Sequence, residues 1–111
     1  MAGKFEIYKD KAGEFRFRLK AANHQTVLSS EGYKTKKSCE NGIDSVKKNC
    51  SDPKRFAMNK TPTGKFRFNL TSTNGQIIGT SQNYAGESGC RNGIKAVAAA
   101  ADGASTVDQT G

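Results

Sequence analysis

Apolar and polar residues alternate through Gly13-Glu14-Phe15-Arg16-Phe17-Arg18-Leu19. That is the pattern of a strand with one face buried and the other wet. It returns at Gly64-Lys65-Phe66-Arg67-Phe68-Asn69-Leu70, again opened by a glycine turn and followed by an Asn-centred turn. Upstream, Phe5 and Ile7 alternate with Glu6 and Tyr8, which predicts a first strand over residues 4–9. Asp10-Lys11-Ala12-Gly13 is its turn, and the equivalent Thr61-Pro62-Thr63-Gly64 carries a proline that cannot donate a ladder hydrogen bond. Asn23-His24 and Asn74-Gly75 mark the next hairpin. Asn-Gly suits a two-residue turn because both positions tolerate positive φ, and His24 fits that geometry less well. Third strands are predicted at residues 25–30 and 76–81.

After Tyr33 the period changes. Cys39, Ile43, Val46 and Cys50 recur at the spacing of an amphipathic helix, with Thr35 as its N-cap and Asn49 suited to its end. The second copy repeats the stripe as Cys90, Ile94, Val97 and Ala101, closed by Asp102-Gly103. Gly42 and Gly93 sit inside these helices, where glycine costs about 1 kcal/mol against alanine. Close approach of helix backbone to sheet would offset that cost at both positions. The tail, residues 103–111, reads as partly disordered or as a short last strand at Ser105-Thr106-Val107-Asp108.

Self-comparison makes the repeat explicit. A shift of 51 positions aligns residues 5–49 with 56–100 without a gap, and about 16 of those 45 pairs are identical. The identities run from Phe5/Phe56 through Arg16/Arg67 and Tyr33/Tyr84 to Cys39/Cys90, Gly42/Gly93 and Val46/Val97. Each unit therefore reads β-β-β-α, with repeat one over about residues 4–50 and repeat two over about 55–102. Three antiparallel strands present an apolar face, and one helix lies on it. The fold class is α+β, with both helices packed on one face of a single antiparallel sheet.

Composition bounds the rest. Of 111 residues, 34% are hydrophobic and none is Trp. Neither half could bury much alone, so one shared core within a single domain, and hence a monomer through intramolecular pairing, is expected. No apolar run approaches the roughly 18 residues a membrane helix needs, and Met1-Ala2-Gly3-Lys4-Phe5 leads into charged residues without the apolar core of a secretory signal. A cytoplasmic protein is the expectation. The formal net charge is +8, shared equally between the halves, which permits attraction to nucleic acid or another anionic surface.

The tandem pattern Gly-x-Phe-Arg-Phe-x-Leu, then Asn, Ser-x-x-Tyr and Asn-Gly-Ile-x-x-Val resembles the YegP-like proteins, small bacterial proteins grouped under a domain of unknown function. The resemblance spans roughly residues 3–102. It implies that two β-β-β-α units join into one continuous antiparallel sheet with the helices on one side. It also implies strand exchange at the unit boundary, with residues 54–60 stitching the halves. No catalytic or binding residue comes with it. Cys39 and Cys90 occupy helix positions where the family also takes small residues such as alanine, which speaks against a family-wide thiol function.

The candidate chemistry is sparse. Cys39 and Cys50 lie about 16 Å apart along one helix, too far for a bridge. A Cys39–Cys90 bridge would cross the pseudo-two-fold but is disfavoured in a reducing compartment. The cysteines read as reduced core residues, Cys50 at the helix end being the most reactive candidate. One histidine, His24, leaves no zinc set, and no cofactor is predicted. Ser29, Ser30 and Ser81 lack a nucleophile-elbow setting, and Gly86-Glu87-Ser88-Gly89 lacks the lysine-serine pair of a phosphate loop. No catalytic constellation is visible.

The polar sheet face carries the remaining interest. If the helices cover one side, Arg16, Arg18, Lys20 and Arg67 project from the other with Tyr8 nearby, a candidate anion or nucleic-acid surface. Phe15, Phe17, Phe66 and Phe68 share the core register and are not free to stack on bases, and Tyr33 and Tyr84 fall at the helix starts. The same face allows Arg16 and Arg67 to pair with acids such as Glu6. Two functions follow: a non-enzymatic module binding an anionic partner on the sheet face, or a protein-interaction adaptor using sheet edges or helix ends.

Overall fold

Residues 3–110 are described by the computed structural model. Met1 and Ala2, which open the N-terminal reading, and Gly111, the end of the tail, lie outside them. Period-two alternation yields β1 (Lys4–Lys9), β2 (Phe15–Lys20) and β3 (Thr26–Ser30), and the helical stripe yields α1 (Lys36–Asn49). A 3-10 turn at Pro53–Arg55 leads into β4 (Phe56–Lys60), β5 (Phe66–Thr71), β6 (Ile77–Thr80) and α2 (Glu87–Ala101), and β7 (Ser105–Asp108) ends the order. Thr35 caps α1, its hydroxyl accepting from the Ser38 N–H at 3.1 Å. Gly86 holds that place before α2 and supplies no such cap.

The four tight hairpin turns share one construction. In each, the fourth residue donates its N–H to the carbonyl of the first and takes positive φ: Gly13 (82°), His24 (68°), Gly64 (85°) and Gly75 (83°). This is the arrangement of a type I turn closed by a left-handed residue. The two-residue Asn-Gly turn expected from the sequence is thus replaced by a longer one. Asn23 and Asn74 keep negative φ and turn their side chains back to accept the Gln25 and Gln76 N–H groups at 3.1 and 3.2 Å. His24 takes the glycine conformation despite its side chain.

The seven strands form one sheet in the order β4-β5-β6-β3-β2-β1-β7. β1 to β6 are antiparallel, while β7 lies parallel to β1 at one edge, placing Thr106 beside Phe5 and Asp108 beside Ile7. The repeats meet where Ser29 pairs with Thr80 and Ser30 with Gly79. Ser29 and Thr80 are equivalent positions, so the pseudo-two-fold passes between them. Residues 54–60 do not stitch the halves by strand exchange: β4 pairs with β5 at the far edge. The Phe56 ring holds it there, edge-on to Phe68 at 5.6 Å. The helices make the crossing instead. α1 packs on β2 of its own unit and on β5 and β6 of the other, and α2 on β5 and on β1, β2 and β3.

The shared core lies between the inner sheet face and these helices. Each unit builds the same aromatic stack. Phe17 meets Phe5 edge-on at 5.9 Å and lies parallel to Tyr33 at 6.4 Å, and Phe68 repeats this with Phe56 and with Tyr84 at 6.3 Å. The tyrosines are brought in by reciprocal backbone bonds with Phe15 and Phe66. This accounts for the helix glycines. A Cβ on Gly42 would stand 2.5 Å from Tyr33 Oη and 2.9 Å from Phe17 Cε2, and Gly93 faces Tyr84 and Phe68 in the same way. The close approach predicted at these glycines is chiefly to a tyrosine ring.

Candidate functional site

The outer sheet face differs sharply between the repeats. On β1, Glu6 points to that face between β2 and β7 and is 3% exposed. Arg18 Nε reaches its carboxylate at 2.7 Å, Lys20 Nζ at 3.3 Å and Lys4 Nζ at 3.4 Å. The Arg18 hydrogen bond, with help from the two lysines, holds the Glu6 carboxyl down at about 2 despite its burial. Arg18 also lies over the Tyr8 ring, 4.7 Å from its centroid. Arg16 Nε pairs with Asp10 at 2.6 Å, and this contact lowers the Asp10 carboxyl.

The five residues singled out in the sequence therefore share one face but not one site. Arg18 and Lys20 neutralise Glu6, Tyr8 is roofed by Arg18, and Arg16 is held by Asp10. Glu6 draws Arg18 rather than Arg16, because Arg18 is its cross-strand neighbour while Arg16 faces Tyr8. Arg16 and Arg67 stand on opposite sides of the pseudo-two-fold, about 20 Å apart by strand spacing and rise. Between them runs an open groove of about 590 Å³ lined by Arg16, Ser29, Ser30, Thr80, Ser81 and Gln82. Its buried hydroxyls are occupied. Ser30 and Ser81 accept the Phe17 and Phe68 N–H groups at 2.9 Å and donate to the next carbonyl.

In the second repeat the charged cluster is gone. Ala57 stands for Glu6, Asn59 for Tyr8, Asn69 for Arg18, Thr71 for Lys20 and Thr61 for Asp10. The buried acid and two of its three cations are replaced by uncharged residues, so no buried charge is left without its partner there. Arg67 remains, exposed and without an ion-pair partner among the described residues. Lys54, Lys60 and Lys65 are likewise exposed around β4 and β5, and Arg55 pairs with Asp52 at 3.5 Å. Residues 53–86 contain no Asp or Glu at all. That run was readable in the sequence; even halves of the total charge conceal it, because the second repeat's acids sit on or after its helix.

The two sheet edges differ as well. β7 covers β1, held by Lys36 Nζ to Asp108 at 2.6 Å and by the Gln109 N–H to the Ile7 carbonyl at 2.8 Å. Lys36 and Thr110 together hold the Asp108 carboxyl well below the usual range. Phe5 and Ile7 beneath are fully buried. β4, the equivalent of β1, has no strand outside it among the described residues, and its Phe56 and Met58 are only half-buried.

The cysteines are free and buried, and burial raises all three thiols, Cys39 to about 11. Cys50 shares this setting, contrary to a reactive helix-end thiol. His24 is exposed on its turn, and no metal-ligand group of three occurs among the described residues. No helix of the described residues is long and apolar enough to cross a membrane.

Comparison with known proteins places this geometry. A family described as a domain of unknown function, DUF1508, matches the chain twice, over residues 10–56 and 63–108. The chain belongs to that family. It is 44% identical over 110 residues to the UPF0339 protein YegP of Escherichia coli, covering 99% of this chain and 100% of that one. A UPF0339 protein encoded beside the ptx operon of Stutzerimonas stutzeri is 56% identical over 97 residues, 87% of each chain. The solution NMR structure of E. coli yegP superposes with a TM-score of 0.94 at 44% identity, covering 100% and 96% of the two chains. That of a UPF0339 protein from Shewanella oneidensis gives 0.92 at 39%, covering 99% and 93%. The DUF1508 chain thus carries the family fold, the YegP-like resemblance of its sequence included, and those relatives are described as of unknown function or by family name alone.

Proposed function

We propose that this DUF1508 protein is a non-catalytic binding module that takes an anionic partner on the β4–β5 side of its second repeat. One observation carries the reading: residues 53–86 contain no acid, and with Arg55 paired to Asp52 they leave Lys54, Lys60, Lys65 and Arg67 exposed and without an ion-pair partner among the described residues. Cations left uncompensated on a surface raise the local concentration of anions and speed their encounter. On the first repeat's outer sheet face, Lys4, Arg18 and Lys20 pair with Glu6 and Arg16 with Asp10. Of the residues first singled out, Arg67 stays in the site, and Arg16, Arg18, Lys20 and Tyr8 serve the fold. Buried, unpaired thiols fit a protein working in a reducing cytoplasm.

The test is a titration of the full chain, at low salt, with polyglutamate and with a short oligothymidine. Binding of either should weaken at least about tenfold in K60A/K65A/R67A and fade as salt rises. Arg16→Ala should leave it unchanged. If neither polymer binds, or Arg16→Ala is the variant that weakens binding, the reading fails.

A further inference from the structure

We infer that the anionic partner is an acidic, extended protein segment that adds to β4 as an eighth strand. The inference rests on the anion-binding reading above and makes it specific. The chain itself supplies the precedent. At the equivalent edge, β7 lies along β1, and beneath it Phe5 and Ile7 are sealed. At β4 the same two inward positions, Phe56 and Met58, stay half-exposed, and among the described residues the backbone on the outer side of the strand faces no neighbour in the sheet. An added strand would satisfy those backbone groups and close the two apolar side chains, the mode by which sheet edges capture extended peptides.

Charge selects the occupant. Lys54 stands before β4, Lys60 ends it, and Lys65 lies just before the neighbouring strand, all exposed. In β7 the acid that anchors the strand is Asp108, which meets Lys36 at the start of α1. The second repeat has Glu87 in that place, already paired with Arg91 at 3.1 Å. Acidic side chains of the partner are therefore met by the lysines at the two ends of β4 and not by the helix. A second copy is disfavoured as the occupant. Antiparallel pairing of two β4 strands would set Lys60 of one against Lys54 and Arg55 of the other, and parallel pairing would align like charges. Single-stranded nucleic acid is less well matched, because the outer face beside Arg67 presents Ala57, Asn59 and Asn69 with no aromatic platform.

The experiment uses isotope-labelled full chain and three probes: a peptide alternating glutamate with valine, its lysine-for-glutamate counterpart, and oligothymidine. The acidic peptide should slow amide exchange within β4 and bind at least about tenfold more weakly to K60E/K65E, while the lysine peptide does neither. Exchange in the unaltered protein decides the matter even if the double variant misfolds. No slowing in β4, or equal affinity of a folded K60E/K65E, overturns the inference. Oligothymidine binding with the acidic peptide inert overturns it while the broader anion-binding reading survives. Silence from both anionic probes overturns both.

Discussion

Leu28 and Gly79 hold equivalent positions in the two repeats, and the leucine fills the room that a side chain at the glycine would need. A Cβ on Gly79 would stand 2.8 Å from Leu28 Cγ. Gly79→Leu should therefore destabilise the protein by about 1–3 kcal/mol through overpacking. Leu28→Gly should cost at least about 2–5 kcal/mol through its cavity. The double exchange, Leu28→Gly with Gly79→Leu, should be more stable than the sum of the two by about 1 kcal/mol or more. Urea unfolding of the four proteins measures that coupling, and strict additivity would refute it.

His24 sits at φ 68° where the other three turns use glycine. A left-handed residue other than glycine costs roughly 1–2 kcal/mol, part of which glycine gives back in the unfolded chain. His24→Gly should raise stability by about 0.5–1 kcal/mol, read as a higher urea midpoint at unchanged slope. A lower midpoint would mean that the exposed imidazole makes a contact worth more than the strain.

Glu6 makes stability depend on acid. Its pKa falls from an ordinary 4.5 to about 2 on folding. The unfolded chain therefore takes up the proton first, and the stabilisation present above about pH 4.5 is lost as the pH drops toward 2. Glu6→Gln should flatten that part of the stability–pH curve and lower stability at neutral pH, since Lys4, Arg18 and Lys20 lose their common partner. Replacing the set as the second repeat does, with E6A, Y8N, R18N and K20T together, should cost less than Glu6→Ala alone. A combined variant less stable than the single one would show that the four residues are not coupled through Glu6.

Buried thiols with raised pKa values should be inert in the native protein. An aromatic disulfide reagent at about pH 8 should modify Cys39, Cys50 and Cys90 together, at a rate that rises with urea as the opened population grows. Rapid single-site reaction at Cys50 in native buffer would contradict the packing seen at the end of α1.

Much of the fold was legible because its signals are local and occur twice. Phe15, Phe17 and Leu19 announce their face by period two, and Thr35 with Ser38 announces the start of α1. What escaped was set by long-range packing. Nothing in residues 54–60 states that β4 lies at an outer edge, since that depends on Phe56 finding the Phe68 ring. Nothing near Tyr33 states that its ring would fill the space over Gly42. Of the polar face, the alternation placed Arg16, Arg18, Lys20 and Tyr8 together correctly on one side of the sheet. Their internal engagement depends on register, Arg18 against Glu6 and Arg16 against Tyr8, which alternation alone leaves open. The acid-free run of the second repeat needed no structure, only a charge count along the chain instead of one per half.

Each helix packs on strands of both units, so a unit standing alone would leave part of its helix and sheet uncovered. A single β-β-β-α chain built on this plan would exist only as a pair, its folded fraction set by concentration. Covalent linkage through Pro53–Arg55 removes that dependence and also lifts a constraint. Identical partners must present the same residue on both sides of their axis, so a leucine would meet a leucine or a glycine a glycine. One chain can set Leu28 against Gly79, keep the Glu6 ion cluster on one half of the sheet face and leave the other half of that face without an acid. Once joined, the two halves were free to become different molecules.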